Sequence, residues 1–183
     1  DGDRAYVINT ATTVVDILDI GTDGSLELRR RVDLGAYGAG GNSVAGHDGT
    51  IAVALDGEVK TDPGTVVLLD RDGEVVTTVE AGAVPDMVTF TPDGKHLLVA
   101  NEGEPSDDYT VDPEGSVTVV EVTPLLARAK GPSRAGARGI VRTATFHDVA
   151  IPDGVRVFGP GATPAQDLEP EYIAVAPDSR TAY

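Results

Sequence analysis

Six carboxylates crowd into the thirteen residues from Glu102 to Glu114: Glu102, Glu104, Asp107, Asp108, Asp112 and Glu114, punctuated by Pro105 and Pro113. Gathered without a counter-charge they would repel one another, so the segment has two readings. Either it fans into water as a solvated loop, as most acidic runs do, or several of its oxygens converge on a hard cation, whose natural ligands are carboxylates and carbonyls. Ca²⁺ is the cation expected on the second reading. The spacing is not that of an EF-hand, because with Asp107 as the first position Tyr109 and Val111 stand at the third and fifth and no glycine stands at the sixth.

A second polar set recurs along the chain. Asn42, Asp86 and Glu171 each open an apolar run of the same kind, NSVAG, DMVTF and EYIAV. If those runs line a common axis, the three side chains face one another at its mouth as channel-face ligands. Asp62, Glu102 and Asp112 open on the same face, joined by Gln166, Asp167 and Glu169 of the QDLEPE stretch. Turn capping, a common task for Asn and Asp, is the competing reading.

Nucleophilic catalysis has little behind it, for the chain has no cysteine and no Gly-x-Ser-x-Gly elbow. His47 and His96 flank hairpin turns and read as structural. His147 and Asp148 are expected on a strand, TATFHDVAI, where neighbours point to opposite faces and cannot act as a dyad. Gly159-Pro160-Gly161 lacks the lysine and helix of a phosphate loop.

The elements that must position these residues repeat. Apolar alternation, an Asp-Gly or Asp-Ser turn and a second apolar run recur with turn aspartates at Asp1, Asp48, Asp93 and Asp178, at gaps of 47, 45 and 85 residues. Such a unit is a β-hairpin, and a period near 45 with four strands per unit marks a β-propeller. The expected fold class is all-β: a partial β-propeller of four-stranded antiparallel blades, about three periods of a longer, seven-bladed ring. The periods are about 1–41, 42–84 and 85–169, with 170–183 opening the next blade.

Strands are lettered a to d outward from the channel. The N-terminal period supplies b (RAYVIN), c (TTVVDILDI) and d (LELRRRVDL); the second and third supply all four, and EYIAVAP and TAY begin another blade. The long last gap places an insertion at 123–165, with a short helix at TPLLARAK and a Gly/Arg-rich stretch. GVRVFGPGATPAQDLEP is expected to be a structured loop without helix or strand, from its Gly and Pro density. Three periods do not close a ring of four to eight blades. The chain is therefore expected to be a segment of a longer protein, extending mostly beyond Tyr183. In isolation it should self-associate through incomplete terminal blades.

Composition bounds the partners. Of 183 residues 40% are hydrophobic, with no Trp, so the core must rest on Val, Ile, Leu and Ala. Fourteen basic residues against 30 acidic ones exclude a nucleic-acid binder, which needs a basic surface for counterion release. The Arg29-Arg30-Arg31 cluster reads as the solvated face of a strand. No apolar run reaches the roughly 18 residues of a membrane-spanning helix. The acidic excess favours a cation ligand or a basic partner.

The runs VPDMVTFTPDGKHLLVANEGEPSDDYTVDPEGSVTVVEV and RVFGPGATPAQDLEPEYIAVAPDSRTAY, with AYGAGGNSVAGHDGTIAVAL and KTDPGTVVLLD, resemble the choice-of-anchor I family of bacterial exported propellers. Members of that family are also labelled mesenchyme-specific cell-surface glycoprotein, and some carry alkaline-phosphatase-related labels. The chain departs from the family pattern between about Ala127 and Gly154. The resemblance implies an extracellular or cell-surface propeller in the style of the YVTN and lactonase propellers, without a settled activity. Two function classes follow. One is a binding module that takes a ligand or protein across its channel face, with a structural cation. The other is a Ca²⁺-dependent hydrolase of phosphoesters or lactones, which also needs an open coordination position and a nearby base. The sequence offers ligands but no evident base, which favours binding.

Overall fold

Period-two alternation governs almost every element of the computed structural model, which describes residues 2–129, 140–150, 152, 154 and 157–183. The strands are β1 (Arg4–Asn9), β2 (Val14–Ile20), β3 (Leu26–Asp33), β4 (Gly41–His47), β5 (Thr50–Leu55) and β6 (Pro63–Asp70). They continue with β7 (Val75–Ala83), β8 (Pro85–Phe90), β9 (His96–Asn101), β10 (Ser116–Glu121) and β11 (Val141–Thr145). They form three antiparallel sheets in the orders β1-β2-β3, β4-β5-β6-β7 and β8-β9-β10-β11. The first sheet holds strands b to d of a blade and the other two hold a to d. The chain is a partial β-propeller.

The turns follow their sequences. Asp48 and Gly49 both carry positive φ, 45° and 75°, which the tight β4–β5 hairpin demands. The β8–β9 turn is longer, with Gly94 at φ 67°. There Asp93 accepts from the Thr91 hydroxyl at 2.8 Å and from the Lys95 amide at 3.1 Å. Those bonds, the Thr91 one foremost, hold its carboxyl well below the usual carboxylate range. A fourth repeat begins with the Val175–Ala182 bridge around Ser179, at φ 60°.

Each blade face buries against the next. In β5, Ile51, Val53 and Leu55 pack with Val15, Ile17 and Leu34 of the first blade. Ala52 and Ala54, pointing the other way, join the core shared with Val88, Phe90, Leu97 and Val99 of the third. A strand buried on both faces is a continuous apolar run, and TIAVAL is one. Fully burying each Val, Leu or Ile is worth roughly 1.5–3 kcal/mol. The outer face of the third sheet, Leu98 and Ala100, receives Ile173 of the C-terminal repeat.

Two expectations need correction, and one segment lies outside the described residues. Strand d of the third blade ends at Thr145 and does not run through TATFHDVAI. Its partner β10 begins at Ser116, which pairs with Thr145, so the ladder stops there and His147 and Asp148 sit in a turn. The Gly- and Pro-rich loop contains a short helix, α2 (Pro164–Asp167). Thr163 caps it, Gln166 returns the bond in a capping box, and a proline stands at its first turn, signals that outweigh the flanking glycines. The expected helix at TPLLARAK is present as α1 (Val122–Ala129), with Val122 and Leu125 buried. The Gly/Arg-rich stretch at 130–139 lies outside the described residues.

Candidate functional site

The innermost strands of the two complete blades open with the same irregularity. Register shifts between Gly41 and Ser43 and between Pro85 and Met87 make Asn42 and Asp86 the extra residues of two β-bulges. A bulge re-aims the side chain it carries, here at the end of the inner strand. Opposite them, β5 and β9 end in Leu55 and Asn101, and the next residues, Asp56 and Glu102, tie back to the bulge. The Asp56 amide donates to the Gly40 carbonyl at 2.8 Å and the Glu102 amide to the Val84 carbonyl at 2.9 Å. Asp56 and Glu102 are thus the same position of successive blades.

The backbone at this rim is held under constraint. Val84, a β-branched residue just before Pro85, sits at φ +47°, and Glu169, just before Pro170, at φ +38°. Such left-handed non-glycine residues cost of order 1–3 kcal/mol and persist only where the surroundings enforce them. Gly103, at φ +73°, lies where a Cβ would come within 2.6 Å of the Glu114 backbone. Only glycine lets the two limbs of the acidic loop approach so closely.

The blades differ in how the paired positions are charged. In the second, the Asn42 amide donates to the Asp56 carboxylate at 2.8 Å. Burial pushes that carboxyl up, the Asn42 bond opposes the rise, and Glu104 adds to it. In the third, Asp86 replaces the amide. Glu102 is pushed up to about 7, by burial first, then by Asp86, Glu104, Glu171 and Glu169. Asp86 is raised as well, by burial and then by Glu171, Asp56 and Glu104. Burial followed by Glu104, Asp167 and Asp112 raises Glu169, while Lys60 opposes. Lys60, on the β5–β6 loop, places its ammonium 2.7 Å from Glu104, with both side chains partly exposed at 47% and 39%.

Of the residues singled out from the sequence, the fold brings Asn42, Asp86, Glu102, Glu104, Glu169 and Glu171 into one field. Asp107 is exposed and reaches the site only by raising the Lys60 pKa from a distance. Asp108 turns into its own loop: it accepts from the Ser106 hydroxyl at 2.9 Å and the Thr110 hydroxyl at 2.7 Å, and Thr110 above all holds its carboxyl low. Glu114 is paired with His147, whose Nε2 lies 2.9 Å away. Asp167 accepts from the Phe158 amide and, at 2.9 Å, from the Gly159 amide. Asp112 gives its carbonyl to Gln166 Nε2 at 2.8 Å, and burial and Asp167 raise its carboxyl.

Asp56 and Lys60 are the residues that sequence reasoning missed. Asp56-Gly57 and Glu102-Gly103 are both acid-glycine pairs closing strand b, which was the available signal. Aligning the repeats on their turn aspartates instead matches Asp56 with Asn101, because the β8–β9 turn is longer. All-oxygen donors suit a hard cation such as Ca²⁺. Among the described residues, however, no three His, Asp or Glu side chains are grouped so as to hold a metal ion. Beside the carboxylates, α2 and the acidic loop enclose an open cleft of about 260 Å³ lined by Tyr109, Asp112, Phe158, Asp167 and Glu169 among others.

No helix of the described residues is long and apolar enough to cross a membrane. A search of curated proteins finds no match to the chain. Among solved structures, the chain is similar to hydrazine synthase of Kuenenia stuttgartiensis (23% identity, 68% of this chain and 37% of that one, TM-score 0.50). It is similar also to a functionally unknown protein of Desulfotomaculum acetoxidans (14% identity, 68% and 35%, TM-score 0.52). A third similar structure is a putative 6-phosphogluconolactonase of Bacteroides fragilis (23% identity, 66% and 32%, TM-score 0.48). The chain spans about a third of the length of these proteins, and at such identities the likeness is one of fold. The model of the Choice-of-anchor I domain matches residues 1–183 from end to end. By that match, the chain belongs to the choice-of-anchor I domain family.

Proposed function

We propose that the chain is an exported, cell-surface propeller module that binds across its channel face, where Asp56, Asp86, Glu102, Glu104 and Glu171 recruit a hard cation, Ca²⁺ first. The observation that carries this reading is the gathering of these carboxylates in one field, where burial first and then Asp86, Glu104, Glu171 and Glu169 push Glu102 up to about 7. A cation entering that field relieves repulsion that one half-exposed lysine only partly offsets. Family membership supports the surface placement. The test is thermal unfolding with Ca²⁺, with Mg²⁺, with NaCl of equal ionic strength and with chelator. Binding to the folded state alone stabilises it by about 2.7 kcal/mol at a hundredfold excess over Kd, so Tm should rise with Ca²⁺ and fall with chelator. Salt only screens. Equal responses to Ca²⁺, Mg²⁺ and NaCl would refute the reading, and Asp86→Asn with Glu102→Gln should remove the Ca²⁺ response.

A second reading, a Ca²⁺-dependent hydrolase of phosphoesters or lactones, gains from the same Glu102. A carboxyl poised near neutrality is suited to proton transfer. Chelator-sensitive turnover of a phosphoester or lactone panel, lost in Glu102→Gln, would favour it over binding alone.

A further inference from the structure

The cleft between the acidic loop and α2 has walls of two chemistries. Tyr109 and Phe158, residues 51% and 67% exposed, line it with aromatic side chains. Asp112, Asp167 and Glu169 line it with carboxylates, and no ion pair to any of the three forms among the described residues. Asp167 is fixed by two backbone amides, so its direction is set before any ligand arrives. The Gln166 side chain locks α2 onto the Asp112 carbonyl, holding the two walls together. Burial first and then neighbouring carboxylates raise both Asp112 and Glu169, with Lys60 opposing the rise at Glu169, so the cleft gathers negative charge.

Aromatic faces beside carboxylates select a cation with an apolar or planar body. The ring quadrupole attracts the charge, the ring covers the stem, and the carboxylates take the N–H groups. A volume of about 260 Å³ lies just below the roughly 300–1,000 Å³ of sites for whole drug-sized molecules. It suits one side chain or one small amine. We propose that this cleft binds a guanidinium or primary ammonium group on an apolar stem, the chemistry of an arginine or lysine side chain. The site borders the carboxylates around Glu102, sharing Glu169 with their field, and needs no metal.

The test is titration of the full chain, in chelator, with acetyl-Gly-Arg-Gly-amide and with butylguanidinium, using acetyl-Gly-citrulline-Gly-amide as the neutral twin. Saturable binding of either cation, at least tenfold tighter than the twin, is the expected result. The stronger of the two shows whether a peptide or a free amine is the guest. Tyr109→Leu and Phe158→Leu should each weaken binding two- to fivefold, and Asp112→Asn at least as much, while Glu27→Gln on the first blade leaves it unchanged. Binding of the citrulline twin equal to arginine, no saturable binding of either cation, or equal losses in Glu27→Gln and Asp112→Asn would overturn the proposal. Because chelator removes divalent ions throughout, a failure here leaves the Ca²⁺ reading untouched, and a failure there leaves this one.

Discussion

The second and third blades share a backbone plan and differ in what they place on it. Both inner strands begin with a bulge, and both second strands end in an acid-glycine pair that bonds back to it. The second blade puts an amide at the bulge, Asn42, which satisfies Asp56 with one hydrogen bond. The third puts an acid there, Asp86, against Glu102. An amide opposite a carboxylate opposes the rise that burial imposes on it, whereas a second carboxylate adds repulsion that a proton or cation can relieve. One substitution at a fixed position thus decides whether the neighbouring carboxyl meets a donor or a second acid.

The residue preceding the acid differs too, and there the largest effect is expected. Leu55 fills an apolar slot, whereas its counterpart Asn101 is fully buried and bonds to Ser116, Thr118 and the Gly82 amide of the preceding blade. Making the blades alike with Asn101→Leu strands those partners. It should cost about 2–4 kcal/mol, read from the urea midpoint. A loss under about 1 kcal/mol would show that the network contributes little to blade docking.

Next comes the pH dependence of the third blade. Glu102 holds its proton more tightly when folded, pushed up to about 7, than in the unfolded chain, where the ordinary value is 4.5. The folded state therefore binds more protons than the unfolded between those values. Stability should fall as pH rises from about 4.5 to 7, by about 1–2 kcal/mol after discounting for solvent screening. Glu102→Gln should flatten that part of the profile. Asp86→Asn, which installs the second blade's amide, should lower the Glu102 pKa, measurable by NMR titration.

The converse exchange, Asn42→Asp, adds a second acid to the second blade. It should cost about 1 kcal/mol at pH 8 and progressively less toward pH 4, as the new carboxylate and Asp56 take up protons. Insensitivity to pH would mean that Asn42 acts through packing and not charge. Smallest is Lys60→Met. Its pair with Glu104 is half-exposed, so the loss should stay below about 1 kcal/mol in denaturation, and shrink further in high salt.

The sequence by itself determined the repeat, because alternation, Asp-Gly turns and β-branched runs are local properties that each strand expresses wherever it lies. From those follow the a-to-d order and the equivalent places of Asn42, Asp86 and Glu171 before successive inner strands. It also determined that the loop at 102–114 is acidic, but not which acids meet. Asp108 and Asp112 are four residues apart in one run. The first closes its own turn, while the second lines a cleft whose other wall begins at Phe158.

Only the tertiary structure decided that partition. Proximity between blades depends on ladder register, and register depends on the length of a turn some ten residues away. The longer β8–β9 turn shifts the third repeat by one residue against the second, so Glu102, and not Asn101, stands beside Asp86 as Asp56 stands beside Asn42. Where β10 begins decides in the same way that His147 leaves the sheet and meets Glu114. Charges in one chain announce themselves singly. Their coupling belongs to the packing that brings distant segments within a few ångströms, where burial and repulsion act together on the same carboxyl groups.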